Sequence, residues 1–110
     1  MKKLPTFLTL AMLALGGSAA ADNTAFCGAF ASVMQTAYEL NGSGVDRDTS
    51  IMVLEQQGVS EGMARYATYV PLTLPMTPDQ AATASLISCL QNPETILAIG
   101  MGLWDEDNIN

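Results

Sequence analysis

Apolar positions along this chain recur at helical spacing, in short runs divided by turn residues. Between Thr24 and Leu40 they fall at Phe26, Phe30, Val33, Ala37 and Leu40. Steps of four and three put these side chains on one helix face. Asn41-Gly42-Ser43-Gly44 predicts the end of that helix, because glycine accepts the left-handed backbone that closes a helix. Asp46 or Asp48 can cap a short second helix that runs through Gln57, with Gly58 as its stop. Ser60 caps a third, with Met63, Tyr66, Ala67 and Val70 on its inner face. Pro71 is expected to end that helix, since proline has no N–H and disfavours helical backbone in the residue before it.

Residues 71–77 then read as an extended link. Thr77-Pro78-Asp79-Gln80 is the clearest local signal: a capping threonine, proline at the first helical position, an acid facing the positive helix end, and glutamine to close a capping box. The fourth helix is predicted to reach about Gln91 and to bury Ala82, Leu86, Cys89 and Leu90. Asn92-Pro93-Glu94 repeats the start signal for a fifth, Pro93 to Trp104. No segment alternates as a strand does, and no internal repeat divides the chain. The pattern predicts an all-α fold of four or five short helices in a compact bundle or orthogonal array.

The first residues obey a different rule. Lys2 and Lys3 precede an apolar stretch from Leu4 to Leu15, and Gly16-Gly17-Ser18-Ala19-Ala20-Ala21 supplies small residues for a peptidase pocket. That order is a secretory signal peptide over residues 1–21, cleaved after Ala20 or Ala21. The apolar stretch falls short of the roughly 20 residues a spanning helix needs, so no stable membrane insertion is expected after cleavage. The expected mature chain, residues 22–110, is a single helical domain with a short acidic tail at Asp105-Glu106-Asp107, working in the periplasm or outside the cell.

Export changes the reading of Cys27 and Cys89. An oxidising compartment pairs them in a disulfide. At a separation of 62 residues the cross-link removes about 4 kcal/mol of unfolded-chain entropy, comparable to the net stability of a small domain. Cys27 stands in the first turn of the first helix and Cys89 in the last turn of the fourth, so the bond predicts that these two helices lie side by side and antiparallel. Loss of the signal also leaves only Arg47 and Arg65 against eleven acids, a side-chain charge of −9. Nucleic acid and anionic membrane surfaces repel such a chain, and basic proteins attract it.

Candidate chemistry is sparse. With no histidine in the chain, histidine-based triads, metal sites and pH switches are excluded. Gly58-Val59-Ser60-Glu61-Gly62 matches the G-x-S-x-G nucleophile elbow, but that motif acts between a strand and a helix with a histidine downstream. Ser60 therefore reads as a helix cap. Asp46-Arg47-Asp48-Thr49-Ser50 opens like a calcium loop, yet Ile51 stands where glycine is needed and Gln57 where glutamate is needed. Met34, Met52, Met63, Met76 and Met101 offer thioethers that suit Cu(I), but their wide spacing favours core filling. No catalytic residue, cofactor site or metal site is expected, and the protein reads as non-enzymatic.

One segment allows two readings. Residues 95–104 are apolar nearly all round, and a helix of that kind is normally buried. The first expectation is that it closes the bundle core; because burying every face is hard in a small domain, the alternative is that Ile96, Ile99, Leu103 and Trp104 form a partner surface, for another protein or for a second copy.

Around the two cysteines the chain resembles the HdeA/HdeB family of small periplasmic acid-stress chaperones. Cys27-Gly28-Ala29-Phe30 gives the Cys-x-x-Phe that opens the first helix there, and Cys89-Leu90-Gln91-Asn92-Pro93 followed by Leu97 is similar to the family's second-cysteine motif. The resemblance implies a protein inactive at neutral pH that opens in acid and holds unfolding clients on apolar surface. Family members carry many lysines, whereas full protonation of the carboxylates here leaves only Arg47, Arg65 and the amino terminus charged. One functional expectation is an acid- or stress-responsive chaperone. Another is an acidic partner-binding module, such as an inhibitor or immunity protein that neutralises a basic exported toxin or cell-wall hydrolase. A homo-oligomer formed through the apolar C-terminal helix is a third.

Overall fold

Three of the helices begin where a side chain replaces the acceptor that the first turn lacks. In a computed structural model describing residues 23–104, the Asp46 carboxylate accepts the Thr49 N–H at 3.0 Å, Ser60 Oγ accepts the Met63 N–H at 3.3 Å, and Thr77 Oγ1 accepts the Gln80 N–H at 3.1 Å. Gln80 returns the bond by accepting the Thr77 N–H at 3.0 Å, completing the capping box. The helices are α1 (Asn23–Gly42), α2 (Arg47–Gln56), α3 (Glu61–Thr73), α4 (Pro78–Gln91) and α5 (Pro93–Gly100). The fold is all-α, with five helices and the Cys27–Cys89 disulfide. The signal-peptide reading of residues 1–21 and the acidic tail from Asp105 lie outside the described residues.

The stops are as local as the starts. Beyond α2, Gly58 takes φ 93°. That turn lets the Gly58 N–H reach the Glu55 carbonyl at 3.0 Å and the Val59 N–H reach the Leu54 carbonyl at 3.1 Å. This is a Schellman closure, and it brings the apolar residue after the glycine onto the helix it has just left. Leu54 and Val59 are accordingly both buried. The same bond pattern closes α1, from Gly44 to Asn41 and from Val45 to Leu40.

α1 and α4 form the principal pair. Cys27 and Cys89 join the start of one to the end of the other with their Cα atoms 5.4 Å apart. At the opposite end Gln35 Nε2 donates to Asp79 Oδ1 at 3.0 Å. These two contacts make the pair antiparallel, as the cysteine positions predicted. α4 turns Ala81, Ser85 and Cys89 inward, three small residues that let it lie close against α1. The expected face is corrected here: Leu86 and Ala82 sit at its margin, while Leu90 is 46% exposed. α3 packs on α1 and α2, and α5 closes over α3 and α4. Phe26, Phe30, Val33, Met34, Leu54, Met63, Ile96 and Ile99 fill the space between them.

α2 is tied to α3 by one side chain. Arg47 Nε donates to Thr68 Oγ1 at 3.1 Å, and Nη2 donates to the Arg65 carbonyl at 2.9 Å. Thr68 is buried, and it meets its remaining need by donating to the Ala64 carbonyl at 2.9 Å.

Two predicted boundaries move. α3 runs past Pro71 to Thr73, because the last turn can hold without the missing proline N–H. The Leu74 N–H and the Thr73 hydroxyl both donate to the Val70 carbonyl, at 2.9 and 3.2 Å. α5 stops at Gly100, short of Trp104. There Gly102 at φ 88° makes another Schellman closure, with the Leu103 N–H on the Ala98 carbonyl at 3.0 Å. Asn92 also departs from the capping pattern, since its side chain makes no cap hydrogen bond and it ends α4 as it starts α5.

Asp46, rather than Asp48, caps α2. The Thr49 backbone N–H, and then its hydroxyl, hold the Asp46 carboxyl below the usual carboxylate range. A depressed folded value means that the cap's contribution is present above the ordinary carboxylate pKa and is lost as pH falls through the folded one. Asp46→Asn keeps a capping oxygen that does not titrate. The protection factor of the Thr49 amide should therefore fall on acidification from about pH 5 to about pH 2 in the parent protein and stay flat in the variant. Parallel curves would show that Asp46 does not hold this end of the helix.

Candidate functional site

The four residues of the predicted partner surface are not brought together on one exposed face. Ile96 and Ile99, at 6% exposure each, point into the core, while Leu103 is 72% exposed and Trp104 is partly buried. The division has a geometric cause. α5 is only two turns long, so residues three apart share its inner face, and the turn at Gly102 redirects the chain beyond it. Trp104 is thereby laid edge-on to Tyr66, with ring centres 5.3 Å apart, and tilted against Tyr69 at 5.5 Å. Tyr66 stacks in turn on Phe30 at 6.3 Å, and the Arg47 guanidinium lies 5.7 Å over Tyr69. Trp104 thus ends an aromatic row that anchors the last described residues to α3.

Where α5 ends against the start of α3, an open cleft of about 470 Å³ is bordered by Ser60, Glu61, Gly62, Arg65, Met101 and Trp104. Its walls explain each letter of the G-x-S-x-G motif. Gly58 makes the turn out of α2, and Val59 is buried behind it. Ser60 caps α3 while its hydroxyl donates to the Gly100 carbonyl at 2.8 Å, so its proton is already committed across the two helices. Glu61 opens α3. Gly62 lies so close to α5 that a Cβ there would stand 2.5 Å from the Ile99 carbonyl oxygen. Ser60→Ala removes the cap and the interhelix bond together and should cost about 1–2 kcal/mol by urea unfolding. A loss under a few tenths of a kcal/mol would mean that water replaces both bonds.

A second depression, about 440 Å³, lies between the end of α1 and the link before α4, bordered by Tyr38, Glu39, Pro71, Pro75, Met76 and Pro78. The Tyr38 hydroxyl donates to the Leu74 carbonyl here. Burial, reinforced by Tyr66, pushes the Tyr38 phenol above its ordinary value, and burial alone does the same for Tyr66. A raised folded value gives stability that is present below the ordinary tyrosine pKa and is lost as pH rises through the folded one. The neutral phenols therefore favour the folded state up to the alkaline limb.

Two features mark the surface, and of the first only Leu103 was expected from the sequence. First, Met52, Leu72, Leu74, Ile87, Leu90, Met101 and Leu103 are large apolar side chains left about half exposed or more. Leu72 and Leu74 escaped notice inside a presumed link, and Ile87 inside a helix judged by its inner face. Second, Glu39, Asp46, Asp48, Glu55, Glu61, Asp79 and Glu94 are all exposed. The methionines are scattered: Met34 and Met63 lie in the core, while Met52 and Met101 face solvent. Among the described residues no three histidine, cysteine, aspartate or glutamate side chains come together to hold a metal ion, and no helix is long and apolar enough to cross a membrane. No family model, characterised protein or solved structure matches the chain.

Proposed function

We propose that this protein is a non-enzymatic binding module of the periplasm or extracellular space, which captures a basic protein through its acidic surface. The supporting observation is the placement of charge. The acids from Glu39 to Glu94 named above are all exposed, on a helical scaffold stapled by Cys27–Cys89. None has to be desolvated before a partner arrives. Fixed surface charge of one sign speeds and selects association with the opposite sign. A basic exported toxin or cell-wall hydrolase is the class of partner that fits. Calorimetric titration against a panel of basic wall hydrolases should show binding at about 20 mM salt that weakens tenfold or more by about 200 mM. A panel that gives no binding at low salt removes the proposal.

The chaperone reading rests on a different observation, the large apolar side chains already exposed in the folded domain. Such side chains can hold an unfolding client without prior opening. The acid-triggered form of this reading has little to drive it. The described carboxylates are exposed, and protonating them moves the −9 side-chain charge of the chain without its signal towards neutrality rather than building strong repulsion. An acid titration followed by near-UV circular dichroism and an apolar-surface dye separates the two. Reversible opening with client protection supports the chaperone. Native packing kept to about pH 2, with no protection of an aggregating client at any pH, removes it.

A further inference from the structure

Among the described residues the basic side chains are Arg47 on α2 and Arg65 on α3. The fold brings both to the same end of the aromatic row. Arg47 reaches across to α3: its Nη2 donates to the Arg65 carbonyl at 2.9 Å, its Nε donates to Thr68 Oγ1 at 3.1 Å, and its guanidinium lies 5.7 Å from the Tyr69 ring centre. Those bonds fix the guanidinium before any acid reaches it. Arg65 is exposed and borders the open cleft at the start of α3.

The last described residue comes close to both. Trp104 borders the same cleft as Arg65. Its ring meets Tyr66 at 5.3 Å and Tyr69 at 5.5 Å, so Trp104 and Arg47 share the Tyr69 ring as a neighbour. Asp105-Glu106-Asp107 follows Trp104 directly. Three extended residues span about 10 Å, the scale of the Trp104–Tyr69 and Tyr69–Arg47 distances taken together. The chain thus delivers three carboxylates, from an anchored start, to the place where its described cations stand. The acids already near them are Glu61, one turn before Arg65, and Asp46 and Asp48 on either side of Arg47 in the chain. Asp46 is engaged as the α2 cap.

We infer that Asp105-Glu106-Asp107 docks on Arg65 and Arg47 and straps the end of α5 across α3 to α2. The carboxylates accept from guanidinium N–H groups, the pairing for which arginine geometry is suited. Trp104 is held by two ring contacts, so only a short run has to be ordered to close the strap. The chain's own acids then cover both described cations, and an acidic partner finds no basic patch there. This strap does not depend on capture of a basic partner elsewhere on the surface.

Nitrogen-15 relaxation of the oxidised protein at about 20 mM salt, where screening is weak, tests the strap. Backbone order parameters for Asp105, Glu106 and Asp107 should lie near the value of about 0.85 for rigid backbone. With Arg47→Gln and Arg65→Gln together they should fall below about 0.6, the flexible range. Arg47 also ties α2 to α3, so a second variant leaves every helix untouched: Asp105→Asn, Glu106→Gln and Asp107→Asn combined. Its order parameters at 105–107 should fall to the same range, and the Arg65 Nε–H should exchange with water several times faster, with far-UV circular dichroism unchanged. A flexible 105–107 segment in the parent overturns the inference. So does one that stays rigid in the neutralised variant, or one that Glu61→Gln releases, since removing that competing acid should tighten the strap.

Discussion

Replacing Gly62 with alanine should loosen the contact between α3 and α5 and cost about 1–3 kcal/mol, the range for overfilling a packed site. The added methyl would stand 2.5 Å from the Ile99 carbonyl oxygen and 2.9 Å from the Gly102 backbone. Those atoms belong to the main chain of a helix end already fixed by the Gly102 turn, so no rotamer change makes room. Gly28→Ala is the matched control. Gly28 is exposed inside α1, and a Cβ there meets nothing within 4 Å. That variant should gain about 0.5–1 kcal/mol, because alanine loses less backbone entropy in a helix. Urea unfolding should therefore shift the two midpoints in opposite directions. A Gly62→Ala midpoint equal to the parent's would mean that α5 does not press on α3 as described.

Removing the disulfide should have the larger effect. Cys27→Ala with Cys89→Ala is expected to cost about 4 kcal/mol, as a cross-link over 62 residues predicts. A domain this small buries a modest share of its surface, so the double variant should be largely unfolded near body temperature. Alanine fits because both cysteines are wholly buried among apolar neighbours. The same burial affects chemical reduction. A thiolate must reach a sulfur, so the native protein should react slowly with dithiothreitol, and reaction should accelerate as urea populates open states. Fast thiol release that does not depend on urea would show that the bond is reached without opening the core. An unchanged melting temperature in the double variant would show that the cross-link contributes no stability.

The parts of this fold that could be read in advance are those governed by short-range chemistry. Asp46, Ser60 and Thr77 act as caps because each needs only an amide three residues away. Gly58 acts as a stop because the left-handed turn is a property of one residue. The cysteine pair gave the antiparallel placement of α1 and α4. What escaped depends on neighbours distant in the chain. Gly62 shows its importance only once α5 lies across it. Ser85 and Ala81 are buried in place of Leu90 because the close approach of α1 rewards small side chains there. Pro71 looked like a terminator, yet two donors to Val70 carry α3 past it. The two readings of residues 95–104 divide in the same way. Apolar residues along α5 look alike in sequence, and only packing on α3 and α4 sends Ile96 and Ile99 inward while Leu103 stays out.

The disulfide closes a loop around α2, α3 and their connections. Ser43 and Gly44 in one connector, and Leu74 and Pro75 in another, are exposed, which is where proteases tend to cut. A single cut at either place falls between Cys27 and Cys89, so it separates no fragment. The two pieces stay tethered, and their reassociation remains intramolecular, at an effective concentration that dilution does not change. A nicked molecule should run as one chain on a non-reducing gel and as two after reduction. In this protein a broken peptide bond need not mean a lost domain.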